Sequence, residues 1–249
     1  MDLKKIFFLL VVLLANIIQG ITGFAGTVLA MPPSVLLVGM DTAKPILNAL
    51  GLLSGIWVAV TQRKHIKTKE FIKVTAVMAA GLFVGMFVRG FFADQTKLMH
   101  LILGVVVVMI GAVGLFHSFF PHKHDPDRKP HPHHSVSGGA YLVAAGVFHG
   151  LFVCGGPLMV AYLQGKLPDK NEFRATVSCV WIVLNSILLI DDLRLGNWHA
   201  ETAKLMLPAV AVLAVGMVLG GVLANKMSRR AFMRLTFVLL IVSGVMLFI

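Results

Sequence analysis

Gly20-Ile21-Thr22-Gly23-Phe24-Ala25-Gly26-Thr27 and Gly150-Leu151-Phe152-Val153-Cys154-Gly155-Gly156-Pro157 are glycine-bearing breaks in otherwise apolar runs, set 130 positions apart in a chain of 249 residues. Glycine and Gly-Pro punctuate helices. A matched pair of interrupted apolar segments in the two halves of a chain is the pattern of a membrane transporter built from two copies of one unit, with unwound backbone at the substrate site.

The composition agrees. The chain is 57% hydrophobic and 13% charged, with a mean hydropathy of +0.87, which no soluble domain carries without a large apolar surface in water. Apolar runs near the ~20 residues needed to cross a bilayer lie at 45–61, 71–93, 98–120, 173–190, 203–224 and 231–249, and runs 6–31 and 138–163 contain the breaks. The hydrophilic stretches are too short for a soluble catalytic or nucleic-acid-binding domain. The net charge of +11 is spread over short loops, where it reads as a topology signal and not as a nucleic-acid surface. Cys154 and Cys179 both sit in apolar runs, which predicts reduced, buried thiols. Lys4 and Lys5 followed by residues 6–15 imitate a signal peptide, but no small-x-small site precedes Gly20 and cleavage would delete half of a repeat, so the segment is expected to stay.

At an offset of 130, Gly20 pairs with Gly150, Gly26 with Gly156, Lys44 with Arg174 and Asn48 with Ser178. Charge placement chooses between two threadings. If each broken segment crosses once, the 22 basic residues divide 12 to 10, with no bias. If each is a re-entrant hairpin, six full crossings remain, the second repeat is inverted, and 15 of the 22 fall on one side, as the positive-inside rule requires. Lys4 and Lys5 fall on the other side in that threading. Two arms of roughly 13 residues reach about 20 Å at 1.5 Å per residue, short of the ~30 Å hydrocarbon core, so each hairpin is expected to end near the midplane. The expected architecture is an all-α polytopic membrane protein of two inverted repeats, each a re-entrant or broken helical hairpin followed by three transmembrane helices. Residues 1–120 form the first repeat, 121–136 a His/Pro-rich cytoplasmic linker, and 137–249 the second repeat.

Unwound backbone is tolerated at membrane depth only where it is buried in protein or lines a wet cavity. In Gly155-Gly156-Pro157 the proline stands at the first position of a new helix, whose amides and dipole favour a negative guest. Thr27 after Gly26 is expected to play the matching part as a cap or hydroxyl donor. The candidate substrate-binding residues are therefore Gly23, Gly26, Thr27, Asn48, Cys154, Gly155, Gly156, Pro157 and Ser178. Asn48 and Ser178 either touch substrate or join helices by hydrogen bonds. Gln19, His149, Arg174 and Asn185 are candidates for polar lining or proton coupling. His149 is either a proton carrier or a structural donor, and Arg174 either attracts anions at the cytoplasmic mouth or faces lipid headgroups. No acidic residue is expected deep in a span, with Asp191 and Asp192 at an outer helix end, which argues against a cation carrier.

His117, His122, His124, His131, His133 and His134 crowd the link between the halves, and raise the alternative of a transition-metal transporter. The tract lacks cysteine and regular ligand spacing, and no metal site is assigned to it. Cys154 beside His149 is the one nucleophile–base pair in reach and has no orienting carboxylate. An enzyme is not expected, nor a cofactor.

Gly150 to Leu163, then Leu167-Pro168-Asp169-Lys170-Asn171-Glu172-Phe173-Arg174-Ala175-Thr176-Val177-Ser178, resemble the second-repeat signature of the TauE/SafE sulfite exporter family. Gly20 through Met31-Pro32 to Asn48 looks like its partner motif, and the resemblance covers essentially the whole chain. It implies a multi-pass inner-membrane transporter of sulfite, sulfoacetate or another small sulfonate or organic anion. The first repeat carries fewer glycines at Gly23-Phe24-Ala25-Gly26 than family members usually do, which leaves the substrate open. With no Gly-x-x-x-x-Gly-Lys-Ser motif, a gradient-driven secondary transporter working by alternating access is expected. Its partners are the anion and the lipid bilayer, not nucleic acid, and a homo-oligomer is compatible with the sequence.

Overall fold

The computed structural model describes residues 3–88, positions 101, 104, 105, 108, 109, 111, 112, 115, 116 and 119, and residues 135–153, 155–164, 166, 167, 169–246 and 248. These residues are all-helical, with no strand among them. In chain order the helices are α1 Leu3–Thr22, α2 Ala25–Val38, α3 Met40–Thr61, α4 Thr68–Val88, α5 Ser135–Phe152, α6 Gly156–Gln164, α7 Lys170–Arg194, α8 Ala200–Lys226 and α9 Arg229–Met246. The described positions between 101 and 119 are helical as well. Among the described residues, α1, α3, α4, α7 and α8 are long and apolar enough to cross a membrane. Their outer faces expose Val60, Ile72 and Leu207, as lipid-facing helices do.

Both breaks fall where the sequence places them. Gly23 turns the chain with φ +84° and Val153, 130 positions later, with φ +58°. The left-handed conformation is easy for glycine; for a β-branched valine it costs of order 1–3 kcal/mol. The arms are less even than the expected pair of half-helices, at 20 and 14 residues in the first hairpin and 18 and 9 in the second, so that the last is the short one. A Cβ on Gly23 would lie 3.4 Å from both Arg174 Cα and Ser178 Oγ, at the level of the first turns of α7.

Small residues let helices from opposite halves run side by side. Gly20 and Gly216 bring α1 onto α8, where a Cβ on Gly20 would lie 3.0 Å from Gly220 Cα and one on Gly216 2.8 Å from Asn16 Cβ. Gly146 and Gly150 bring α5 onto α4 in the same manner, with such atoms 3.0 Å from Gly81 Cα and 3.2 Å from Gly85 Cα. In both pairs the residue numbers rise together, so the helices are parallel. In α3 and α7 they run oppositely: Lys44 meets Asp192 and Gly55 meets Ser178. The described positions from 101 to 119 likewise oppose α9, Gly104 facing Gly244 and Gly111 facing Phe237. Exchanging the halves at the offset of 130 maps the α1–α8 pair onto the α5–α4 pair and maps the two antiparallel pairs onto themselves.

Lys5 reaches Glu201 at 3.6 Å at one end of the bundle. At the other end Lys67 reaches Glu172 at 2.7 Å, and Lys170 Nζ donates to Ala224 O and Met227 O at 2.9 and 2.7 Å. That second end also carries Arg63, Lys64 and Lys69, and is the basic end of the molecule.

Candidate functional site

The first tip is closed by its own side chains. Thr22 Oγ1 accepts from the amides of Phe24 and Ala25 at 3.4 and 3.2 Å, and Gln19 Oε1 accepts from Gly26 N at 2.9 Å. Gln19 Nε2 donates to Gly23 O and to Ser54 Oγ, each at 3.3 Å. The start of α2 is thus satisfied from α1. The cap expected from Thr27 comes from Thr22 and Gln19, because Thr27 already lies inside the first turn of α2. At the second tip no side-chain cap of α6 is found among the described residues, and Gly156 instead faces the first tip. A Cβ there would lie 3.5 Å from Trp181 Cζ2 and 3.6 Å from Phe24 O.

Between the tips lies a narrow cavity lined by Gln19, Phe24, Thr27, Val28, Gly51, His149, Val153, Gly156, Trp181 and Asn185. A second cavity shares Gln19, Thr27 and Gly51 with it and continues past Asn16 and Ser54. The polar groups lining both are uncharged amides, hydroxyls and an imidazole; among the described residues no carboxylate, lysine or arginine lines either one. His149 Nε2 donates to Asn185 Oδ1 at 3.0 Å, and Nδ1 is left as an acceptor without a partner among the described residues. The imidazole lies against Trp181, ring centroids 5.0 Å apart. Trp181 Nε1 donates to Gly23 O at 3.0 Å, so one indole touches the first tip and the histidine of the second hairpin.

The remaining sequence candidates fall around this centre. Gly23 and Gly26 hold the first tip, and Gly155 packs so closely on α5 that a Cβ would lie 2.8 Å from His149 Cβ. Gly26 meets Gln19 Cβ in the same way at 2.7 Å. After the breaks Gly26 therefore corresponds to Gly155 and not to Gly156, the second break being one residue tighter. Asn48 Nδ2 donates to Asn185 O at 3.2 Å and is fully buried outside the cavity. Ser178 also stands outside it, its hydroxyl buried and without a partner among the described residues. Arg174, expected at a mouth or a headgroup surface, is 2% exposed and donates to Gly20 O. Asp192, expected at an outer helix end, is fully buried beside Lys44. Pro157 lies in the first turn of α6. Cys154 and the histidine tract lie outside the described residues.

Sequence reasoning missed Trp181, Phe24, Val28, Gly51 and Val153. A signal existed: Arg174, Ser178, Trp181 and Asn185 follow i, i+4, i+7, i+11 spacing and share one face of α7. Their mates Lys44, Asn48, Gly51 and Gly55 share the corresponding face of α3. Where α7 presents a tryptophan and an asparagine, α3 presents glycines, and the Asn185 amide lies 2.7 Å from where a Cβ on Gly51 would be. The cavity is therefore furnished by one repeat and given room by the other.

The family model of the sulfite exporter TauE/SafE matches residues 8–247. The chain is also 32% identical over 171 residues to a Comamonas testosteroni protein described as a probable inner membrane transporter protein TsaS, an alignment covering 68% of this chain and 67% of that one. No solved structure matches.

Proposed function

Since the chain belongs to the TauE/SafE sulfite exporter family, we propose that it is a gradient-driven inner-membrane transporter of a small anion of the sulfite or sulfonate class, moved by alternating access through the cavity between the hairpin tips. The observation that carries this reading is the cavity itself, where broken helices from both halves meet around neutral hydrogen-bonding groups. An anion leaving water needs donors and no nearby carboxylate. Gln19, Thr27 and Asn185 are side chains that donate once they reorient, and the start of α6 adds amides and a positive dipole end. His149 Nδ1 offers a lone pair on which a co-transported proton can ride.

The antiparallel relation of α3 to α7 supports two inverted repeats meeting along that seam, with the division at residues 121–136. The positive-inside rule places the basic end, with Lys67, Lys69 and Lys170, in the cytoplasm. Rocking one half against the other then opens the cavity to either side in turn.

Uptake of radiolabelled sulfite and sulfoacetate into proteoliposomes tests the reading against Gly156→Leu. A leucine there projects between Trp181 and Phe24 and plugs the cavity, so flux should fall at least tenfold. Equal flux in the two proteins would sink the assigned site.

A further inference from the structure

Arg174 is a buried cation without a counter-ion among the described residues. Its guanidinium donates to Gly20 O at the C-terminal end of α1, while Nε and Nη1 have no partner among the described residues. Its repeat mate is treated otherwise: Lys44 Nζ lies 3.0 Å from Asp192 Oδ1. Lys44 meets Asp192 and Gly51 meets Asn185 across α3 and α7; carried on along the seam, that antiparallel register assigns Gln62 the place opposite Arg174, Gln62 and Asp192 being themselves 130 positions apart. Gln62 ends α3 as its C-terminal cap, and its Oε1 is buried and without a partner among the described residues. One end of the seam thus holds a cation with a carboxylate, and the other a cation with a neutral amide. Glu172, two residues before Arg174, is engaged by Lys67 at 2.7 Å. Ser178, one turn on along the same face, adds a second buried, unpartnered donor, its Oγ 3.4 Å from where a Cβ on Gly23 would be.

A plain helix cap does not account for this. The carbonyls at the end of α1 favour a cation, but they return only a fraction of what burying a guanidinium costs without a counter-charge. A guanidinium with unused donors matches the oxygens of a small oxoanion.

We propose that Arg174 and Ser178, with the Gln62 amide turned so that its Nε2 donates, form a second oxoanion site, on the basic side of the first hairpin tip and separate from the central cavity. The anion takes there the part that the Asp192 carboxylate takes beside Lys44. The ligand is a free sulfite- or sulfonate-type ion, since burial keeps Arg174 from lipid headgroups. The site follows from the α3–α7 seam; passage of the transported anion through it rests on the transport reading above.

Gln62→Glu tests this by installing the missing carboxylate. Sulfite binding to purified protein is measured by calorimetry under anaerobic conditions in the wild type, Gln62→Glu, Arg174→Gln and Ser178→Ala. The same variants are repeated on an Asn185→Leu background, which removes the central site. On that background one binding event should remain, weakened at least tenfold by Gln62→Glu, abolished by Arg174→Gln and weakened three- to tenfold by Ser178→Ala. Gln62→Glu should also raise the melting temperature, which guards against misfolding as the cause. Sulfite binding indifferent to Gln62→Glu and Arg174→Gln, or no binding to the wild type, overturns the site. Arg174-dependent binding without sulfite flux would remove the transport reading and leave the site, while sulfite flux without Arg174-dependent binding would do the reverse.

Discussion

Removing one partner of the Lys44–Asp192 pair should cost far more than removing both. The charges lie 3.0 Å apart, with the Asp192 side chain fully buried and that of Lys44 11% exposed. Asn197 Nδ2 adds a donor to the same carboxylate oxygen at 3.0 Å. Asp192→Asn leaves a buried ammonium without its counter-charge, at a cost of about 3–5 kcal/mol. Lys44→Met leaves the carboxylate with only the Asn197 amide, so its cost should sit near the lower end of that range. The double variant Lys44→Met/Asp192→Leu removes both charges and fills the space with apolar atoms, and buried pairs replaced in this way are often neutral or stabilising. The cycle should therefore show a coupling of roughly 3 kcal/mol or more. Unfolding by SDS titration in mixed micelles, followed by circular dichroism and by tryptophan fluorescence, gives the four stabilities. Single-variant costs below about 1 kcal/mol, or a double variant whose cost equals the sum of the singles, would refute the pairing and with it the contrast with Arg174.

Three further outcomes are expected. Gly26→Ala places a Cβ 2.6 Å from Ala15 O and 2.7 Å from Gln19 Cβ, and should destabilise the protein by about 1–3 kcal/mol through overpacking, read by the same titration. Gly221→Ala, with nothing within 4 Å, should be neutral or stabilising by up to about 1 kcal/mol from helix propensity, and an equal loss in the two variants would contradict the packing of the first hairpin. Trp181→Phe keeps a ring against His149 but deletes the donor to Gly23 O, and should cost about 0.5–1.5 kcal/mol while raising KM for sulfite in proteoliposomes; an unchanged KM would show that the indole does not shape the site. Asn185→Asp puts a carboxylate in the cavity and should lower sulfite flux at least tenfold by like-charge repulsion, whereas Asn185→Gln should retain a measurable part of it.

The membrane class, the helical content and the positions of both breaks were legible in the sequence, and of the residues lining the cavity so were Gln19, Thr27, His149, Gly156 and Asn185, but not Phe24, Val28, Gly51, Val153 or Trp181. A bilayer admits few solutions for backbone hydrogen bonds, so apolar run lengths and glycine breaks carry unusual weight. The offset of 130 was read there too, and it aligned Lys44 with Arg174 and Asn48 with Ser178 before any contact was known. The lengths of the hairpin arms were decided in three dimensions, because α1 keeps its helix up to Thr22 by packing on α8 through Gly20 and Gly216. Thr22 and Gln19 cap α2 in place of Thr27 because the turn at Gly23 folds α1 back onto its own continuation. Lys44 and Arg174 look equivalent along the chain, yet among the described residues one has a carboxylate and the other does not. That difference depends on residues 148 positions apart, and only the crossing of α3 and α7 brings them together.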